Sequence, residues 1–267
     1  MADRLTDDQW RQYAEDGYLF LGKVLGDGEL SALQARIDDV MLGRVRYEGM
    51  MMQLDLGGEY ANTAPQTVGF KGPTLDYRKI EQLEKDPLFL EYMRKPLFRD
   101  ICARAYGAHC SIACYRAMFM NKPARKGTVL PYHQDGGGIW GLDRDPLVTV
   151  WTALDPATVA NGCVKVIPGT HKLGLLSEFG HTLSEEHLAK HCPEDRVLHV
   201  ELAPGEAALL HNWLVHGSDV NSTDAPRRGF SVCYMDARTT QAEDGRRFPV
   251  IFGKDAIEAE QPELVKA

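Results

Sequence analysis

The sequence predicts a mainly β protein with flanking helices, and three observations predict it. From about residue 110 onward, short apolar or alternating runs follow one another between turn residues, the mark of an all-β sandwich or barrel. Before that point apolar residues recur at three- and four-residue spacing, the period of helices packed by one face. No run of 18 apolar residues occurs, so no membrane-spanning helix is expected.

Taken in order, Thr6 is placed to cap a helix over DDQWRQYAEDG, and Gly17 to stop it. YLFLGKVL (18–25) reads as a strand. Asp27 then caps a second helix with Leu30, Leu33, Ile37, Val40 and Met41 along one face, and Gly43 ends it. Residues 44–75 show no period and carry five glycines, which suits a functional loop or lid. A helical region over about 80–106 is broken by Pro87 and Pro96. The strand candidates are SIACYRAMFMN, PYHQD, LVTVWTAL, VKVIPG, VLHVEL, EAALLHNW and GFSVCYMDA. The polar stretch 240–267 is expected to pack loosely or fray. The division expected is one domain over 1–267, with a helical flank (1–106), a β core (107–240) and a C-terminal extension (241–267).

Composition narrows the function. A formal charge of −8, from 30 Lys+Arg against 38 Asp+Glu, disfavours nucleic acid as a partner. The polar, acidic N-terminus resembles neither a secretory signal nor a transit peptide, so a cytoplasmic location is expected. The six cysteines include no CxxC pair and read as thiols in a reducing compartment, with Cys163 and Cys233 as core filler.

Two segments carry chemistry. In YHQDGGG, His133 and Asp135 are two residues apart, so in a strand both project from one face and could ligate one metal. With nine histidines in the chain, one such triplet carries little weight alone. About eighty residues on, LLHNWLVHGSDVNSTDAPRRGFSV supplies His216, Ser218 and Arg227. A second His with the HxD pair makes a two-His, one-carboxylate set that leaves positions open on iron(II). Arg227 offers a planar fork for a carboxylate, or else is a surface Arg beside Arg228 that pairs with Asp224. His211 competes with His216 as the ligand, or is a pocket histidine, and Trp151 could simply fill the core. His109, His181, His187, His191 and His199 sit in polar surroundings and read as surface residues.

From about Lys79 to Arg238 the chain resembles the phytanoyl-CoA dioxygenase family of Fe(II)/2-oxoglutarate oxygenases. The motifs are KIE (79–81), MFMNKP (118–123), HQD (133–135), WTAL (151–154), NGCVKVIPGTHK (161–172) and HGSDVNSTDAPRR (216–228). The resemblance implies a double-stranded β-helix (jelly-roll, cupin-like) core. It implies His133, Asp135 and His216 as iron ligands and Arg227 on the far carboxylate of 2-oxoglutarate, with O2 as the oxidant. Lys79, Met118, Trp151 and Ser218 match positions that contact the cosubstrate. Arg116, on the strand of Met118, has reach to the cosubstrate or to a substrate acid group. A carboxylate at Asp135, where halogenating relatives carry a small residue, disfavours halogenation.

The implied reaction hydroxylates or oxidatively cyclises a small molecule and releases succinate and CO2. The negative charge gives little encouragement to a polyphosphorylated CoA thioester. Gln134, Trp140, Asp143 and Trp213 flank the expected ligands; they suit a polar or sugar-containing substrate, or serve packing alone. In general character, GLDRDPLVTVWTALDP is similar to bacterial tailoring enzymes such as the orthosomycin oxygenases. The alternatives are a catalytically silent binding or sensing protein on the same fold, a hydroxylase of acyl-CoA-type substrates, and another metal enzyme that has no need of Arg227.

Overall fold

The computed structural model describes residues 3–177 and 181–265. Helix α1 (Asp7–Asp16) starts at Thr6, whose side chain accepts from the Gln9 N–H while Gln9 bonds back to Thr6. It stops at Gly17, which takes the left-handed conformation (φ 78°). Strand β1 (Tyr18–Lys23) leads to α2 (Asp27–Met41), with Leu33, Ile37, Val40 and Met41 buried; Gly26, not Asp27, holds the cap position.

The glycine-rich stretch differs from the expected loop. It contains β2 (Val45–Arg46), β3 (Met51–Leu54) and β4 (Thr67–Val68). Strand β5 (Tyr77–Ile80) follows, so Lys79 sits on a strand. Helices α3 (Pro87–Met93) and α4 (Pro96–Tyr106) each begin at a proline, which needs no backbone donor there.

The core strands are β6 (Ile112–Lys122), β7 (Leu130–Gln134), β8 (Val148–Ala153), β9 (Val164–Val166), the short β10 (His181–Thr182), β11 (Leu198–Val200), β12 (Glu206–His211), β13 (His216–Ser218) and β14 (Arg227–Asp236). Helix α5 (Glu185–His191) lies between β10 and β11. The side chain of His181 lies outside the described residues. The last stretch is paired rather than frayed: β15 (Val250–Phe252) joins β6, and β16 (Glu263–Leu264) joins β2.

These strands form a jelly roll of two sheets. The larger runs β1-β12-β8-β14-β6-β5-β3-β4, with β15 also on β6, and the smaller runs β10-β7-β13-β9-β11. From β6 to β14 the chain crosses between sheets at six of eight steps, so side chains distant in sequence meet in the space between them. One face of β6, β8 and β14 packs Phe119, Val150, Phe230, Val232 and Tyr234 against Phe89, Tyr92 and Phe98 of α3 and α4. The other face looks across to the smaller sheet and lines the site.

Candidate metal and cosubstrate site

Strands β7 and β13 are antiparallel neighbours, and His133 pairs directly with His216. Gly217 allows this approach, since a Cβ there would come within 2.8 Å of the Leu130 carbonyl oxygen. The two imidazole centroids are 4.1 Å apart. Asp135 follows β7, and its N–H donates to the Asn212 carbonyl (2.8 Å). One carboxylate oxygen lies 3.8 Å from His133 Nε2 and the other 3.8 Å from His216 Nε2. All three ligand atoms fall within 4.8 Å of one another.

The tautomers follow from the backbone. His133 Nδ1 lies 2.9 Å from the Pro131 carbonyl oxygen and His216 Nδ1 2.9 Å from that of Leu214. A carbonyl only accepts, so each Nδ1 carries the proton and each Nε2 presents a lone pair toward Asp135. Cis donors at metal–ligand distances of ~2.1 Å lie about 3 Å apart, so an ion would draw this set inward modestly. Two imidazoles and one carboxylate suit iron(II) and leave positions for other ligands.

The nine residues expected to hold the metal or the cosubstrate line one pocket: Lys79, Arg116, Met118, His133, Asp135, Trp151, His216, Ser218 and Arg227. On β14 the inward side chains are Arg227, Ser231 and Cys233. Met118 of β6 and Trp151 of β8 flank Ser231, and Arg116 and Thr149 flank Cys233 in the same way. Gly229 is open for a reason, because a Cβ there would stand 2.5 Å from Trp151 Cζ2.

Arg227 is 2% exposed, and its Nε and Nη1 have no hydrogen-bond partner among the described residues. Its guanidinium stacks over Trp151 at 5.5 Å, and burial pushes its pKa down to about 10. The surface alternative for Arg227 fails: Asp224 pairs with Arg125, and Arg228 pairs with Asp155 and Asp38. Buried donors without acceptors are costly, and a dicarboxylate reaching this end of the pocket would satisfy them. Lys79 opens on the same pocket, and burial pushes its pKa down to about 7.

The geometry also bears on the alternatives left open by the sequence, and it corrects the reading of Cys233. His211 lines the pocket, but the clustered ligand set contains His216. Burial holds the His211 ring down to about 4, so it is neutral, and its Nδ1 accepts from the Trp213 N–H. Cys233 faces the pocket and is not core filler, whereas Cys163 is buried in an apolar cluster. Of the four flanking residues only Trp140 reaches the pocket. Gln134 donates to the Gly174 and Trp213 carbonyls, Asp143 accepts from the Thr240 N–H, and the Trp213 indole donates to Asp145. Sequence reasoning missed Met120, Thr149, Asn212 and Ser231 as lining. Counting alternate residues from Met118 finds Met120, but the others depend on register between strands.

A model of the phytanoyl-CoA dioxygenase family matches residues 13–229. The chain belongs to that family. It is 29% identical over 243 residues to a probable phytanoyl-CoA dioxygenase of Caenorhabditis elegans, covering 87% of this chain and 76% of that one. Its fold is similar to that of EctD from S. alaskensis, solved with 2-oxoglutarate and 5-hydroxyectoine (TM-score 0.66, 17% identity, 97% of this chain and 86% of that one). It is similar also to SnoK, a non-heme alpha ketoglutarate dependent carbocyclase from nogalamycin biosynthesis (TM-score 0.61, 22% identity, 98% and 97%). At these identities the likeness to the solved structures is one of fold. Family membership and the His-Asp-His cluster make this chain an iron(II)- and 2-oxoglutarate-dependent oxygenase with O2 as co-substrate. Among the described residues, no helix is long and apolar enough to cross a membrane.

Proposed function

We propose that the enzyme hydroxylates, or oxidatively cyclises, a C–H position of a small polar metabolite or natural product. In this reading His133, Asp135 and His216 hold the iron, and Arg227 holds the far carboxylate of 2-oxoglutarate. The bound iron and cosubstrate supply the oxidation, in which O2 converts 2-oxoglutarate to succinate and CO2 and delivers its second oxygen atom to substrate oxidation.

The protein's part is positioning and dryness. The Pro131 and Leu214 carbonyls fix both imidazoles. Trp151 supports the Arg227 guanidinium, while Met118 and Met120 give the cosubstrate channel an apolar wall. Ser218, at the end of β13, offers a hydroxyl donor, and Lys79 an amine beside Met120. No side chain is assigned as a general acid or base, because abstraction of a hydrogen atom needs none.

The observation that carries the reading is the pair of unpartnered Arg227 donors, buried in the pocket that also holds the three ligand atoms. The substrate class is supported by the pocket's mixed lining and by the small molecules named for the two neighbours of like fold, 5-hydroxyectoine and a carbocyclase step of nogalamycin biosynthesis. A second reading, oxidation of an acyl-CoA thioester, is favoured by the relatives' names and opposed by the charge of −8.

The test is an anaerobic titration with Fe(II) and 2-oxoglutarate. A weak visible charge-transfer band is expected from the wild type and none from Asp135→Ala. No band from the wild type would sink the reading. Succinate release stimulated by acyl-CoA thioesters, and by no small polar compound, would move it to the second.

A further inference from the structure

The pocket has a second guanidinium, that of Arg116, set well along the sheet from Arg227. On β14, Arg227 pairs with Lys122 of β6, and Cys233 with Arg116. Six residues of strand separate the two arginine positions, about 20 Å of backbone at ~3.3 Å per residue. A five-carbon diacid spans about 6 Å at ~1.5 Å per bond. The Asp135 carboxylate lies toward the Arg116 end: the Asp135 N–H donates to the Asn212 carbonyl, and the Asn212 side chain accepts from Thr149 and donates to Cys233, which pairs with Arg116. A cosubstrate running from the metal to Arg227 therefore points away from Arg116.

Arg116 is held by its neighbours and opens on the pocket. Its guanidinium lies 4.9 Å over the Tyr115 ring and 5.2 Å over the Trp140 ring, and those two rings stack at 4.4 Å. Its ion-pair partner is Glu81, at 3.7 Å from Nε, beyond hydrogen-bond range. The Arg116 side chain is one-third exposed, and it lines the pocket together with Trp140. A guanidinium fixed over aromatic rings loses little entropy when it takes a planar two-oxygen ligand. Glu81 is close enough to keep the charge in place and too far to saturate its donors.

We infer that Arg116 is the anchor for a carboxylate on the primary substrate, so that the enzyme oxidises a carboxylic acid held with its acid group over Trp140 and Tyr115. Resting on the oxygenase reading above, this names the substrate class. It also moves Arg116 from the cosubstrate side of the pocket to the substrate side.

The test uses the full chain held anaerobic with Fe(II) and saturating 2-oxoglutarate. Benzoate, benzamide and phenyl phosphate serve as probes by calorimetry. Benzoate should bind at least tenfold more tightly than benzamide. Arg116→Gln should lower benzoate affinity at least tenfold and close the gap, while Arg116→Lys keeps part of it. Glu81→Gln should tighten benzoate about threefold by removing a competing carboxylate, a gain that a misfolded variant would not show. Equal binding of acid and amide, no benzoate binding, or benzoate affinity unchanged in Arg116→Gln would overturn the assignment. So would a benzoate affinity that falls as 2-oxoglutarate is raised from zero to saturation, or phenyl phosphate binding more tightly than benzoate. The charge-transfer band separates the two layers: if the wild type lacks it, the oxygenase reading fails, and if it is present while the probes ignore Arg116, only the substrate assignment fails.

Discussion

Strands β6, β8 and β14 present two faces built on opposite rules. The face under the helices is apolar and closed: Phe230 meets Phe89 at 4.8 Å and Tyr92 at 5.6 Å, and the Tyr234 hydroxyl donates to the Met93 carbonyl. The face toward the smaller sheet carries Arg116, Arg227 and Trp151, and leaves Trp151 Nε1 and two Arg227 nitrogens without partners among the described residues. Side chains alternate along a strand, so the same ten residues of β14 serve stability on one side and ligand capture on the other. The difference teaches where to look for function: polar atoms that the fold buries and does not satisfy await something from outside.

Variants can break or sharpen that contrast. The largest effect belongs to Arg227→Met. Steady-state succinate assays should show kcat/KM for 2-oxoglutarate down at least about 100-fold, in the range of ~2–5 kcal/mol for truncating a buried charged partner. Thermal melting of the same variant, without ligands, should be unchanged or improved, because an unpaired buried charge has gone. A lower Tm with normal kinetics would show Arg227 to be structural.

On the closed face the pattern reverses. Phe230→Ala should lose about 3–5 kcal/mol in denaturant unfolding. The fraction that remains folded should bind 2-oxoglutarate within threefold of wild type. Selective loss of cosubstrate affinity there would erase the distinction between faces.

Gly229→Ala lies between the two extremes. Its new methyl meets the Trp151 indole, so about 1–3 kcal/mol of stability should go. Cosubstrate affinity should weaken about tenfold, because Arg227 stacks on that ring. Wild-type affinity would mean that the Trp151 contact does not set the position of Arg227.

A further effect concerns pH. Lys122 is buried beside Arg227, and desolvation pushes its amine from 10.5 down to about 6. Between those values the unfolded chain holds one proton more than the folded chain, so this group makes stability rise with pH across that window. Lys122→Met removes the contribution. Its stability relative to wild type should be most favourable near pH 6.5 and decline steadily toward pH 9.5, read as unfolding free energy at several pH values. A difference that does not vary with pH would show the amine to have the same charge in both states.

Much of this was legible in the sequence, and what was not has a physical cause. The HxD spacing pointed His133 and Asp135 to one spot, and the motif order pointed to His216 and Arg227. Strands hidden in 44–75 were missed because β2, β3 and β4 are two to four residues long, too short to show a period. Pairing of the C-terminal stretch was missed because β15 and β16 are short and sit among polar residues, held by register with β6 and β2. Cys233 looked like core because its neighbours are apolar; only the register with Arg116 and Thr149 shows that it faces the pocket. The roles of Asp143, Gln134 and Trp213 turned on hydrogen bonds to loops far away in the chain, which no local pattern encodes.

The central claim is that three ligands and one buried guanidinium act on the same small molecule. An anaerobic crystal structure with Fe(II) and 2-oxoglutarate tests it most directly. The account predicts one ion bonded to Nε2 of His133, Nε2 of His216 and a carboxylate oxygen of Asp135, with the cosubstrate's far carboxylate taking both vacant donors of Arg227. An ion bound elsewhere, or a cosubstrate whose far carboxylate lies against Arg116 while Arg227 stays unpaired, would contradict it.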